Sequence, residues 1–109
     1  MSLQVSRDLA DDRRVCLRGE LDTFNARDLV ETLVPLARQG GDLSLELSQL
    51  AFMDSGGIRA ILLLTRALGD GSELLLISPR NDVARVLELV GAATFPKVRI
   101  LPDPSESRP

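Results

Sequence analysis

Apolar and polar residues alternate along residues 3–9 (LQVSRDL), a period of two that predicts an outer strand. Residues 14–19 (RVCLRG) put Val15 and Leu17 on one face and predict a second strand, with Asp11-Asp12-Arg13 as the turn of a hairpin. The period then lengthens to that of a helix. Ala26, Leu29, Val30, Leu33 and Ala37 share one side, behind Asp22 or Thr23 as the capping residue. Pro35 inside this pattern has no N–H to donate, which predicts a kink or a restarted last turn. Gly40-Gly41 closes the helix. Alternation returns in residues 42–48 (DLSLELS), where Leu43, Leu45 and Leu47 oppose Ser44, Glu46 and Ser48, as in a strand covered by helices mainly on one side.

The stretch SQLAFMD breaks the alternation and predicts a loop, followed by a second helix from Ser55 to about Gly69. Its packed face is expected to hold Ile58, Ile61, Leu62, Thr65 and Leu68, with Arg59 and Arg66 together on the outer face, nearly two turns apart. After a turn at Gly69-Asp70-Gly71, the apolar run Glu73 to Ile77 predicts a central strand. Ser78-Pro79 has the form of a helix opening, a capping hydroxyl and then proline at the first helical position. Val83, Val86, Leu87 and Val90 form the third helix's buried face, Gly91 ends it, and Val98 to Leu101 is a last short strand. The order β-β-α-β-α-β-α-β predicts one α/β domain over residues 1–101, with a mixed sheet and helices mainly on one face. Residues 102–109 (PDPSESRP) are expected to be a flexible tail.

Composition narrows the function. A chain of 109 residues fits one domain that buries roughly two-thirds of its unfolded surface. The only aromatic residues are three Phe, so the core is aliphatic. Cys16 is the sole cysteine and is expected to be a small buried hydrophobe. No internal disulfide can form, and nothing calls for an oxidising compartment. The charged start carries no signal-peptide pattern, and no apolar run is long enough to enter a membrane, so the expected location is the cytoplasm. Net charge is −3, with no basic block and few rings for base stacking, which argues against nucleic acid and for a protein partner.

Met53-Asp54-Ser55-Gly56-Gly57 joins a strand region to a helix start, where open α/β sheets place their functional groups. Ser55 is expected at or beside the N-cap, solvent-accessible, with two glycines leaving its hydroxyl unshielded. A phosphate there would meet the positive end of the helix dipole and free N–H groups. Phe52 and Met53 are candidates either for an apolar rim or for core plugs. Ser55 as a mere helix cap is the plain alternative.

The segment LELSQLAFMDSGGIRAILLL resembles the signature of the STAS domain of anti-sigma-factor antagonists, an apolar strand and then Asp-Ser-Ser/Thr-Gly-Leu opening a helix. Gly19-Glu20-Leu21-Asp22 followed by Ala26 is similar to the family's G-E-L-D segment. ISPRNDVARVLELVGAATFPKVRIL is similar to its last helix and strand. Three matches in order, spanning the chain to about Leu101, are more specific than any one alone. The resemblance implies a STAS-like fold and a non-enzymatic protein switch without cofactor. Its Ser would be phosphorylated by an ATP-binding anti-sigma factor and reset by a metal-dependent Ser/Thr phosphatase. The dephosphorylated form would bind that anti-sigma factor and release the sigma factor, so regulating transcription. By position, Ser55 is the phosphorylation site, with Asp22 and Asp54 as contact residues close to it; Gly56, Gly57 and Arg59 complete the expected partner-binding surface, a merely solvated face being the plain alternative for Arg59. The chain departs from the pattern at Gly56, where the family carries a second Ser or Thr; Ser55 is then the motif's only acceptor.

Other chemistries fit less well. A Ser55 hydrolase lacks both the elbow glycine, where Met53 stands, and any histidine to act as base. The absence of histidine, with one cysteine, also excludes the common zinc sites, and no phosphate-binding G-x-x-x-x-G-K-[ST] loop is present. Asp11-Asp12, Asp54 and Lys97 mimic the acidic pair, phosphorylated Asp and Lys of a response-regulator receiver, but the acidic pair falls in a hairpin turn. A STAS subunit of a lipid-transport or stress-sensing complex is the alternative that keeps the fold.

Overall fold

The computed structural model describes residues 2–102. Strand β1 (Leu3–Asp8) turns back through Leu9-Ala10 into β2 (Asp11–Leu21), with the Asp8 carboxylate accepting from the Ala10 N–H at 2.8 Å. The turn therefore precedes Asp11-Asp12-Arg13, which belong to β2. Helix α1 (Ala26–Arg38), β3 (Leu43–Met53), α2 (Ser55–Ala67), β4 (Leu74–Ile77), α3 (Asn81–Leu89), a short 3-10 turn (Ala92–Thr94) and β5 (Val98–Leu101) follow. The sheet order is β1-β2-β3-β4-β5, antiparallel in the first pair and parallel in the other three. Each parallel crossover steps the same way across the sheet, and because such crossovers are right-handed the helices gather on one face. Val15, Leu17, Leu43, Leu45, Leu47, Leu74 and Leu76 are buried on that face. Their neighbours Arg14, Cys16, Ser44, Glu46, Leu75 and Ile77, on the other, are only half-buried. Cys16 is thus not the buried residue expected.

Several expectations are corrected. SQLAFMD is not a loop: β3 continues through it to Met53, paired with the end of β2. Leu47, Leu50 and Met53 are all buried, three residues apart rather than two, because the β2–β3 register slips between Cys16 and Arg18 and again between Gly19 and Glu20. Such slips break the alternation by which a strand is read. The central strand is accordingly β3, with β4 next to the edge. Helix α1 runs through Pro35 without restarting. On α2 the packed face is Gly57, Ala60, Ile61, Leu64, Thr65 and Leu68, whereas Leu62 is exposed.

Ser78-Pro79 does not open α3. Ser78 takes a φ of 54° and donates its N–H to Leu101 O at 2.8 Å, so the pair serves the end of β4 and the helix starts at Asn81. Val83 and Leu87 form its buried face, and Val90 is exposed. Gly91, with a φ of 68°, ends this helix, and Gly40 and Gly41 follow α1, as the sequence predicts. Apart from Pro102, the expected tail lies outside the described residues. No helix among the described residues is long and apolar enough to cross a membrane.

Candidate functional site

Leu21 and Met53, the last residues of two parallel neighbouring strands, are partners in register, so the segments after them leave the sheet side by side. Leu21 O accepts the Asp54 N–H at 3.2 Å. The site is built from these two exits, Asp22–Asn25 and Asp54–Gly57.

Asp54 has an extended backbone and is the N-cap of α2, with one carboxylate oxygen accepting from the Gly56 N–H at 2.8 Å. The other oxygen accepts from the N–H of Thr23 at 3.2 Å and from its hydroxyl at 3.3 Å. The Asp54 carbonyl takes the N–H groups of Gly57 at 3.0 Å and Ile58 at 3.3 Å. Asp54 therefore occupies the three donors that follow Ser55 in the first turn. This corrects the expectation of free N–H groups beside that residue. Ser55 itself is the first residue of α2 and is exposed.

Gly56 is a site of close approach. A Cβ at this position would lie 2.6 Å from Thr23 Cα and 2.8 Å from Thr23 N, so any side chain requires the facing loop to move. The serine or threonine of the motif would meet that contact. Gly57 is buried, where a Cβ would stand 2.4 Å from Met53 Cγ and 3.2 Å from the Leu21 side chain. Met53 is a core residue, while Phe52 keeps 37% of its surface exposed.

Asp22 is 3% exposed. Its carboxylate accepts from the N–H groups of Phe24 at 2.9 Å and Asn25 at 3.0 Å, and its carbonyl from Ala26 N–H at 2.9 Å. The Asn25 side-chain oxygen accepts from the Asp22 N–H at 3.0 Å, and its amide nitrogen donates to Glu20 O at 2.9 Å. Asn25 is the formal N-cap of α1 but makes no side-chain cap bond, so Asp22 supplies the local capping and Thr23 turns away to Asp54. The closed loop presents Phe24 to solvent at 94% exposure. Arg59 and Arg66 are both exposed on α2, on the outer face as expected.

As site residues, Thr23 and Phe24 are not apparent from the sequence, which offers Thr23 only as a possible cap of α1. Phe24 had a signal: one of only three aromatic residues stands beside Asp22, before the first residue of the helical apolar stripe. Thr23 had none, because its partner Asp54 is 31 residues away.

The receiver constellation does not assemble. Lys97 Nζ donates to the carbonyls of Leu68 at 3.0 Å and Gly69 at 3.2 Å, at the far end of α2 from Asp54. Asp11 and Asp12 begin β2, whose last residue pairs beside Asp54.

The family model described as "Mlab, STAS domain" matches residues 5–102. The chain belongs to the STAS domain family. An anti-sigma-B factor antagonist from Staphylococcus epidermidis is 28% identical over 94 residues, 84% of this chain and 87% of that protein. The anti-sigma-B factor antagonist of Bacillus subtilis is 46% identical over 48 residues, so the match spans 44% of each, less than half the length of that relative. These names are those of regulators, not of enzymes. The anti-sigma factor antagonist SpoIIAA in its unphosphorylated form has the same fold, with a TM-score of 0.69 at 23% identity, covering 97% of this chain and 92% of that one. Its phosphorylated form from Bacillus aligns with a TM-score of 0.55 at 22% identity, covering 97% and 96%. Within this STAS domain, the Asp54-Ser55-Gly56-Gly57 motif and the Gly19-Glu20-Leu21-Asp22 segment meet through the Asp54 N–H on Leu21 O, and the Asp54–Thr23 hydrogen bonds hold the residue that follows the segment.

Proposed function

We propose that this STAS domain is a cytoplasmic anti-sigma-factor antagonist whose binding surface is switched by phosphorylation of Ser55. The observation that carries the reading is the placement of Ser55. Its hydroxyl is exposed at the head of α2, flanked by Gly56 and by a loop that Asp54 fixes in place. An incoming phosphoryl donor meets the hydroxyl without unfolding of the domain. The names of the relatives support the antagonist role, and SpoIIAA, which shares the fold, exists in unphosphorylated and phosphorylated forms.

In this reading the partner is an ATP-binding anti-sigma factor that is also the kinase, and a Ser/Thr phosphatase restores the hydroxyl. Ser55, Gly56 and the exposed Phe24 and Arg59 touch the partner. Buried Asp22 and Gly57 act indirectly, one by shaping the loop and the other by seating α2 on Leu21 and Met53. Asp54 holds the two halves together and sets a negative neighbour beside the hydroxyl.

Phosphorylation adds about −1.5 to −2 charges at neutral pH. Water solvates that charge on the free domain. In a closed interface the water is gone and an unpaired charge costs several kcal/mol, with each ~1.4 kcal/mol a tenfold loss of affinity. The test is incubation with ATP and candidate ATP-binding anti-sigma factors. One phosphate on Ser55 and none on Ser55→Ala is the expected result. An unmodified chain, or stable co-purification with a transport permease instead, overturns the proposal.

A further inference from the structure

We infer that Arg59 is the internal counter-ion of a phosphate on Ser55, so that phosphorylation withdraws a cation from the partner-facing surface as well as adding an anion. The inference rests on the switch reading above and names how its charge is handled.

A helix N-terminus ordinarily receives an anion through its unpaired N–H groups. Here that route is largely occupied: the N–H groups of Gly56, Gly57 and Ile58 already bond to Asp54, which leaves only the N–H of Ser55 itself. The Asp54 carboxylate also stands next to Ser55 in sequence and repels the added charge. One N–H cannot balance a dianion, so the compensating full charge comes from a side chain.

Arg59 is the residue placed to provide it. It follows Ser55 by four positions on α2, which puts the two about 40° apart around the helix and about 6 Å apart along it. Helical side chains lean toward the N-terminus, so an arginine arm four residues downstream reaches back over the acidic group, the favourable order for an i,i+4 pair. Gly56 and Gly57 put no side chain between them, and Ser55 and Arg59 are both exposed. Among the described residues Arg59 makes no hydrogen bond or ion pair, whereas its neighbour across the α1–α2 groove, Arg27, is engaged with Glu31 at 3.3 Å. Arg66 lies 11 residues from Ser55, roughly 16 Å along the axis and out of range. The charged groups on the segments that meet around Ser55 are thus Asp54 beside it, Glu20 near the end of β2, the committed carboxylate of Asp22, the Arg27–Glu31 pair on α1 and the unengaged Arg59.

The consequence is a two-sided switch. With a free hydroxyl at Ser55, the Arg59 guanidinium is available to the partner. With a phosphate there, it folds back along α2, stabilises the free modified chain and leaves the interface.

The test uses the full chain carrying phosphoserine installed at position 55, with no kinase and no partner, so its outcome is independent of whether Ser55 is modified by an anti-sigma factor. Phosphorus NMR follows the second ionisation of the phosphate, which ordinarily falls near pH ~6. An arginine pair favours the dianion and lowers the midpoint. Arg59→Gln should raise it by about 0.3 pH unit at low salt, the size of an i,i+4 ion pair. The difference should shrink at about 1 M salt, where the screening length is ~3 Å. Arg66→Gln should titrate as the unmutated chain does. Equal midpoints for the unmutated and Arg59→Gln chains, or an equal rise with Arg66→Gln, would overturn the inference.

Discussion

Asp54 receives both the backbone N–H and the hydroxyl of Thr23, at 3.2 and 3.3 Å, and so ties the loop after β2 to the head of α2. The same carboxylate caps α2 through Gly56. One side chain therefore fixes two segments that are 31 residues apart and that together surround Ser55.

Removing that tie has a defined cost. Asp54→Ala loses an N-cap, about 0.5–2 kcal/mol, and leaves Thr23 without its acceptor. A total of about 1–3 kcal/mol is expected, and for a domain near 100 residues each kcal/mol lowers Tm by roughly 4–8 °C. Amide exchange should accelerate at Thr23 and Gly56 while the strands stay protected. Unchanged melting and exchange would mean that Asp54 organises nothing.

Gly56→Ser restores the hydroxyl seen in the family motif but brings a Cβ to 2.6 Å from Thr23 Cα. The neighbour is backbone, so the loop has to shift. A destabilisation of about 1–3 kcal/mol is expected, as for overpacking in a filled site. Thermal melting and a crystal structure of the variant check this, and a serine accepted with the Thr23–Asp54 bonds intact would contradict it.

The sequence made much of this architecture legible, and the failures have physical reasons. Strands and helices with undisturbed periods, such as Leu43-Leu45-Leu47 and the stripe Ala26-Leu29-Leu33-Ala37, were readable because one buried face dictates one period. The second half of β3 was not, because two register slips move its buried residues to a spacing of three. Ser78-Pro79 matched a helix opening chemically, yet the N–H of Ser78 is used by Leu101, a partner visible only in the folded sheet. The placement of Ser55 at the exposed head of α2 was legible from Asp54 before it and glycines after it. The closure of the site by Thr23, and the occupation of the helix donors by Asp54, depend on contacts across the sheet.

Phe24 offers a separate check on the interface. Its ring is 94% exposed and makes no contribution to the core, while Asp22 and Asn25 hold its backbone in place. An exposed aromatic ring of this kind offers a partner apolar surface to bury. Phe24→Ala should leave melting unchanged and weaken anti-sigma factor binding about tenfold or more, corresponding to at least ~1.4 kcal/mol. Calorimetric titration measures it, and an unaltered affinity would place Phe24 outside the interface.

The central claim is that charge on Ser55 governs partner binding. The most direct measurement is the affinity of three full chains for the same anti-sigma factor: Ser55→Ala, Ser55→Asp and the chain with phosphoserine at position 55. Each is accompanied by a melting curve. The account predicts tight binding by Ser55→Ala, weaker binding by Ser55→Asp, and loss by orders of magnitude for phosphoserine, with all three folded. Equal affinities across the series at unchanged stability would contradict it and leave Ser55 as no more than the first residue of a helix.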